Sequence, residues 1–229
     1  MIPAFEVMLR TQLTRGRAAA LGAVGLICVL IGLLIGANER DGFNFVDGFG
    51  LGLLVPITSL VFASAAFNDA VEDGTLVYLW LRPVARWRLV LSALAASVCV
   101  AIPFAVVPTV LAAGLARNGR ELPLAALGAS MAATIAYCTI FLGLGLIIRR
   151  ALVWGLVYVL IWEGFVARSG TSATRLSVLA YARALFAEIA ERDPPRLAPS
   201  VGAALVIPVV ISVVACAVTT FALCRADVR

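Results

Sequence analysis

Residues Ala18–Ala37 read AAALGAVGLICVLIGLLIGA, an apolar stretch without a charge. A helix needs ~20 mostly apolar residues to cross the ~30 Å hydrocarbon core of a bilayer, and this stretch has that length. Further runs follow at Phe49–Phe67, Leu89–Leu115, Leu122–Ile148, Ala151–Ala167 and Val201–Leu223. The runs are continuously apolar, whereas a membrane barrel alternates lipid-facing and lumen-facing residues with period two. The fold expected is therefore all-α and integral to the membrane, with about six spans in a single domain over residues 1–229. Leu89–Leu115 and Leu122–Ile148 are long enough to tilt, kink or emerge from lipid, and Pro103 and Pro108 place a kink in the first of these. Ala151–Ala167 is at the short limit and shares the Arg149-Arg150 turn with its predecessor.

Composition leads to the same solvent. The chain of 229 residues is 62% hydrophobic and 14% charged, against ~45–50% and ~25% in soluble domains. That excess is too large for one globular core. There is no His, and all 18 basic residues are Arg. Without Lys there is no Walker A phosphate loop and no Schiff-base lysine. Without His, the zinc-protease motif, a Ser-His dyad and His-ligated haem are excluded. No catalytic machinery is legible, so energised work requires a partner. Cys28, Cys99, Cys138, Cys216 and Cys224 lie in or beside apolar runs without CxxC spacing, which reads as small apolar filler. Most of the Arg residues flank the runs, and no basic stripe with interleaved aromatics appears. The net charge of +5 therefore reads as topology and headgroup contact rather than nucleic-acid binding.

Ahead of the first run, Ile2, Phe5, Met8, Leu9 and Leu13 recur at roughly helical spacing, with Arg10, Arg15 and Arg17 toward the end. Residues 1–17 are expected to form an amphipathic helix on the cytoplasmic face. A cleaved signal peptide is the competing reading, but its apolar region is shorter, about 7–15 residues. Six spans put both termini on one side. With the termini inside, the cytoplasmic segments carry Arg10, Arg15, Arg17, Arg82, Arg86, Arg88, Arg149, Arg150, Arg225 and Arg229, the short outer loops carry Arg40, Arg117 and Arg120, and the long outer segment 168–199, which weighs less in the rule, carries five more. The positive-inside rule then favours cytoplasmic termini. Gly32-x-x-x-Gly36 matches the small-xxx-small packing pattern, a weak signal in so Ala- and Gly-rich a chain.

Two segments are neither span nor short turn. In residues 68–88, Asp69, Glu72 and Asp73 precede Gly74-Thr75, then Leu76–Leu81, Arg82-Pro83 and Arg86. Thr75 is a plausible N-cap, the acids suit the positive end of a short helix, and Pro83 stops it. The pattern fits a docking surface for a soluble partner and a solvated loop equally. In residues 168–199, Leu176, Leu179, Leu185, Phe186 and Ile189 form an apolar stripe, Glu188 and Arg192 stand at i,i+4, and Pro194-Pro195 ends the pattern. One or two amphipathic helices on or in the outer leaflet are expected there, capping a pathway between spans or serving as a surface linker.

Glu163 is the one acid well within an apolar run. A charge at membrane depth is costly and by default functional. It lies on the order of 18 Å from the inner end of its run at ~1.5 Å per residue. It reads as a pathway or gating residue, or as one that reaches water or pairs with Arg168 beside the interfacial Trp162. With no second acid and no His beside it, a proton relay is poorly supported.

Taken together, these features resemble the permease subunits of ATP-binding-cassette type-2 exporters, the type V exporter fold. The shared features are an amphipathic cytoplasmic helix, six spans, and Glu72-Asp73-Gly74-Thr75-Leu76 followed by Arg82-Pro83-Val84-Ala85-Arg86 between the second and third. Trp162-Glu163 matches an acid near the outer end of the fifth span, and residues 168–199 match short re-entrant outer helices before the sixth. The resemblance covers essentially the whole chain; Ser92-Ala93 stand where the family usually has a Lys. It implies export of a substrate across the cytoplasmic membrane by two permeases, a homodimer or a pair of paralogues. Each would engage an ATPase subunit that holds the ATP and magnesium, with no cofactor in this chain. The coupling residues it implies are Asp69, Glu72, Asp73, Gly74, Thr75, Leu76, Leu79, Arg82, Pro83 and Arg86, with Glu163 as the pathway or gating candidate.

The runner-up within transport is a haem-exporter-like permease of cytochrome c maturation. An intramembrane enzyme such as a lipid phosphotransferase needs clustered acids at a membrane face. Asp69, Glu72 and Asp73 are the sole such cluster and lack helical DxxxD spacing. A non-transporting membrane partner or immunity-type protein is the third class. Substrate identity is not legible.

Overall fold

The computed structural model describes residues 5, 8–9, 12–35, 39–72, 85–116, 121–165, 171–192 and 198–225. They are almost entirely helical. Helix α1 spans Arg15–Ile35. Glu39–Phe45, Val46–Leu54 and Val55–Glu72 follow one another as a single rod, α2, whose middle stretch is π-helical. α3 runs Arg86–Leu115, α4 Glu121–Ile147, α5 Ala151–Glu163, α6 Val178–Ile189 and α7 Val201–Arg225. A helical turn at Thr171–Thr174 precedes α6.

Among the described residues, five helices are long and apolar enough to cross a membrane: α1, the Asp41–Asp69 part of α2, α3, α4 and α7. The expected fifth run is helical over Ala151–Glu163 and turns at Gly164-Phe165, which leaves α5 shorter than the ~20 residues of a straight span. It also starts abruptly. Arg150 takes a left-handed φ of 61°, and the chain reverses within the three residues between Ile147 and Ala151. α2 begins several residues before its apolar run, because the amphipathic stretch around Phe43 and Phe45 packs against the core. Pro103 is absorbed differently from a simple kink. Ile102–Val106 is π-helical, the wider turn that accommodates a residue without an N–H and with a ring pressed on the preceding turn.

α4 is the centre of the bundle and packs against α2, α3, α5, α6 and α7. Its buried residues include Ala125, Ala126, Ala129, Ala133 and Ala136, with Gly143 and Gly145 further on. Small residues let helix backbones approach closely where lipid provides no hydrophobic push. At Gly145 the approach is complete: an added Cβ would meet the Ser64 carbonyl of α2. α1 docks on the second half of α3 in the same way, where a Cβ on Gly32 would lie 2.7 Å from Ala112 Cα. α1 and α7 are otherwise peripheral, with Leu34 82% and Val213 63% exposed.

Of the amphipathic segment expected at residues 1–17, Phe5, Met8, Leu9 and Gln12 are described and helical. Met8 and Gln12 are buried, and Met8 packs with Ala66, Phe67 and Leu89 at the α2–α3 end of the bundle. Residues 1–4, 6–7 and 10–11 lie outside the described residues, as does Gly36 of the expected packing pair.

Gly145→Ala is expected to destabilise the detergent-solubilised protein by about 1–3 kcal/mol through overpacking. Gly114→Ala, where nothing lies within 4 Å of the added Cβ, should be neutral or stabilising by up to ~1 kcal/mol. Thermal unfolding of both variants measures the difference.

Candidate functional site

Glu163 ends α5 in a π-helical turn, Tyr158–Glu163, and its side chain is buried. An ionised carboxylate in such surroundings needs donors on both oxygens. Four are present. The backbone N–H groups of Val178 and Leu179 donate to it at 3.1 and 3.3 Å. The Tyr158 hydroxyl donates at 3.0 Å, and the Ser177 hydroxyl donates to the other oxygen. Val178 and Leu179 are the first residues of α6, whose early N–H groups have no partner inside the helix. Ser177 is its N-cap, extended at φ −95° and ψ 122°, and its Oγ accepts from Ala180 N. Serine alone covers one such donor. Glu163 covers two more, and its charge lies at the positive end of the helix dipole.

α6 is held along its length as well. Arg183 Nε donates to Asp47 Oδ1 of α2 at 2.9 Å. Phe186 stacks on Phe43 at 4.8 Å between centroids, and the Arg192 guanidinium lies over the same ring. Leu179, Leu185 and Phe186 of the expected stripe are buried, while Leu176 is exposed in the turn before the helix. α6 is therefore inserted against α2, α4 and α7, not laid over their ends. On its α4 side Ile189 meets Gly128. The Glu163 end of the junction adjoins Tyr137, whose hydroxyl is within electrostatic reach of that carboxylate.

Beneath this junction the bundle interior carries hydroxyls. Tyr137 and Phe141 of α4 stack at 5.7 Å, and Phe141 meets Tyr158 edge-on. Thr58 of α2 and Thr134 of α4 are buried with hydroxyls that have no hydrogen-bond partner among the described residues, while Ser59 faces Cys138 and Tyr137 faces Glu163. Unpartnered buried hydroxyls are uncommon in a native interior.

At the opposite end of α2, Asp69 accepts two hydrogen bonds from Arg17 of α1, at 2.8 and 3.0 Å. Asp69 and Glu72 lie in the last turns of α2, and Arg86 opens α3. Asp73, Gly74, Thr75, Leu76, Leu79, Arg82 and Pro83 lie outside the described residues. Arg168, the expected partner of Glu163, does too.

The pairs Arg17–Asp69 and Asp47–Arg183 join residues 52 and 136 positions apart, and sequence reasoning paired neither. A carboxylate at each end of one hydrophobic run was the available signal. Ser177 had the composition of an N-cap, but nothing local tied it to Glu163.

A family model described as ABC-2 family transporter protein matches residues 15–170, which takes in α1 to α5. The comparison with curated proteins gives no match.

Glu163→Ala strips the acceptor from two N–H groups and two hydroxyls. It is expected to cost about 2–3 kcal/mol, in the range of hydrogen bonds to charged groups and of buried groups left unpaired. Glu163→Gln, which keeps the shape and one acceptor oxygen, should cost less. Thermal unfolding, with limited proteolysis around Ser177 as a local readout, measures both.

Proposed function

This chain belongs to the ABC-2 family of transporter membrane proteins, and from that membership we propose that it is the transmembrane subunit of an exporter whose ATP is hydrolysed elsewhere. A separate nucleotide-binding subunit supplies the ATPase site with its magnesium. A second permease, identical or paralogous, faces this one, and the substrate passes between them across the cytoplasmic membrane. Both termini are cytoplasmic, in keeping with the arginine distribution.

The observation that carries this reading is the construction of α2. The stretch from Asp47 to Asp69 measures roughly 30 Å at ~1.5 Å per residue, which matches the ~30 Å hydrocarbon core. One rod thus carries an ion pair near each membrane face: Arg17–Asp69 at the cytoplasmic side and Asp47–Arg183 at the outer side. The cytoplasmic end of α2 enters the segment proposed to dock the ATPase, residues 68–88, and Arg86 of α3 receives the chain on its return. A push on that segment tilts α2 and α3 together. Arg17 passes the motion to α1, and Asp47 with Phe43 passes it to α6. α6 then acts as a re-entrant outer lid, hinged on Glu163 of α5. In this mechanism Glu163 gates through the helix it caps and moves no proton. The buried hydroxyls of Thr58, Ser59, Thr134 and Tyr137 are the polar groups that separation of α2, α4 and α5 would uncover.

Two measurements test the reading. The full chain is expected to co-purify with an ABC ATPase encoded beside it, and failure to do so counts against the assignment. In the reconstituted complex, Glu72→Ala or Gly74→Pro is expected to leave membrane insertion and ATP hydrolysis in place while reducing ATP-dependent transport at least about tenfold. Normal transport by these variants would show that residues 68–88 do not couple.

Reversal of the cytoplasmic ion pair gives an independent check. Arg17→Asp or Asp69→Arg alone should impair transport more than stability, because a part-exposed pair contributes only about 0–1 kcal/mol. The double exchange Arg17→Asp/Asp69→Arg should restore transport.

A further inference from the structure

α4 and α7 leave a groove between them with a volume of about 440 Å3, within the ~300–1,000 Å3 range of small-ligand sites. It runs from Thr139 to Ile148 on α4 and from Val210 to Thr219 on α7, and its lining is almost wholly apolar. Its two lining threonines present no free donor. Thr139 donates to Ala136 O and Thr219 to Ala215 O, each at 2.7 Å. At the end away from the cytoplasmic face, the helices meet where Thr139 Oγ1 lies 3.4 Å from Ser212 Oγ. The floor is formed where Gly143 lets α7 close in, since a Cβ there would lie 2.7 Å from Thr219 Oγ1. Such walls suit an apolar chain, and a polar substrate finds little to bond.

The mouth of the groove has the opposite character. α4 and α7 run in the same direction, so counting on equally from the Gly143–Thr219 contact reaches Arg149, in the turn just after α4, and Arg225, the last residue of α7. Arg149, Arg150 and Arg225 are all exposed at that level, and none has an ion-pair partner among the described residues. The Arg225 guanidinium lies 4.1 Å from the Phe221 ring centroid, so its stem folds back along α7. Exposed arginines above an apolar slot at a membrane face complement a phosphate carrying an acyl chain.

We propose that the α4–α7 groove is a binding site for an anionic phospholipid, with one acyl chain between Gly143 and Val214 and the phosphate held by Arg149, Arg150 and Arg225. On the topology proposed above the lipid comes from the cytoplasmic leaflet. The geometry of the site depends on neither the transported substrate nor the coupling mechanism.

The test uses the full chain purified in detergent, delipidated and exposed to phosphatidylglycerol or phosphatidylcholine, with retained lipid counted by native mass spectrometry. One phosphatidylglycerol per chain is expected to survive conditions that strip phosphatidylcholine, with at least about tenfold preference. Arg149→Gln/Arg225→Gln should bring retention down to the phosphatidylcholine level. Val214→Trp, at a half-exposed wall position, fills the slot, keeps every arginine and therefore the topology, and should abolish retention of both lipids. Equal retention of the two lipids overturns the headgroup assignment, and parent-like retention by Val214→Trp overturns the groove. Retention of neither lipid by the parent, as when a second copy covers the groove, overturns the proposal as a whole.

Discussion

A carboxylate inside an apolar bundle must be hydrogen-bonded or neutralised, because burying it bare costs more than a marginally stable fold has to spare. Glu163 meets that requirement by lying at the start of α6, where unpaired N–H groups and the positive end of the helix dipole are available without any basic side chain. The arrangement serves both partners. The helix N-terminus is as costly to bury unpaired as the acid is, and each supplies what the other lacks. Much of this end of the protein follows from it. α5 stops at the acid, the chain must return to present Ser177 beside it, and α6 is thereby inserted among the spans.

α2 connects this assembly to the other face. It stays helical from Glu39 to Glu72 by adopting π geometry through Val46–Leu54. That wider stretch is where Asp47 reaches Arg183 and where Phe43 and Phe45 are set against the core. The ion pairs at its two ends are part-exposed and contribute little stability. In the proposed mechanism their importance is directional: they select which neighbours move when α2 moves. Cohesion comes instead from the run of Ala and Gly on α4, where close approach of the Ser64 backbone at Gly145 and of the Thr219 side chain at Gly143 replaces the interlocking of large side chains.

The remaining surface divides sharply. α2 and α4 are mostly interior, whereas α1 and α7 turn rows of large aliphatic side chains outward. For a multi-pass membrane protein this is the surface that meets lipid, or the facing permease of the proposed pair. Arginines stand at the ends of these apolar surfaces, where bilayer headgroups and the apolar core exchange places within a few ångströms.

Hydropathy alone determined that this chain is helical and lies in a membrane. Those properties are sums over consecutive residues, and Ala18–Ala37 carries them without reference to the rest of the chain. The starts of α3, α4 and α7 followed equally well, since Arg86, Glu121 and Val201 mark changes of local polarity. The family was legible from the order of these runs together with Glu72–Leu76 and Trp162-Glu163. The partners of the buried and interfacial charges were not. Glu163 meets N–H groups 15 and 16 residues ahead, and Asp47 meets an arginine 136 residues away. An isolated acid signals that something must neutralise it, but which group does so depends on how helices pack in three dimensions. Only the tertiary structure decided that the neutralising group is the end of a helix, because backbone N–H groups are present at every position and become distinctive only where a helix begins.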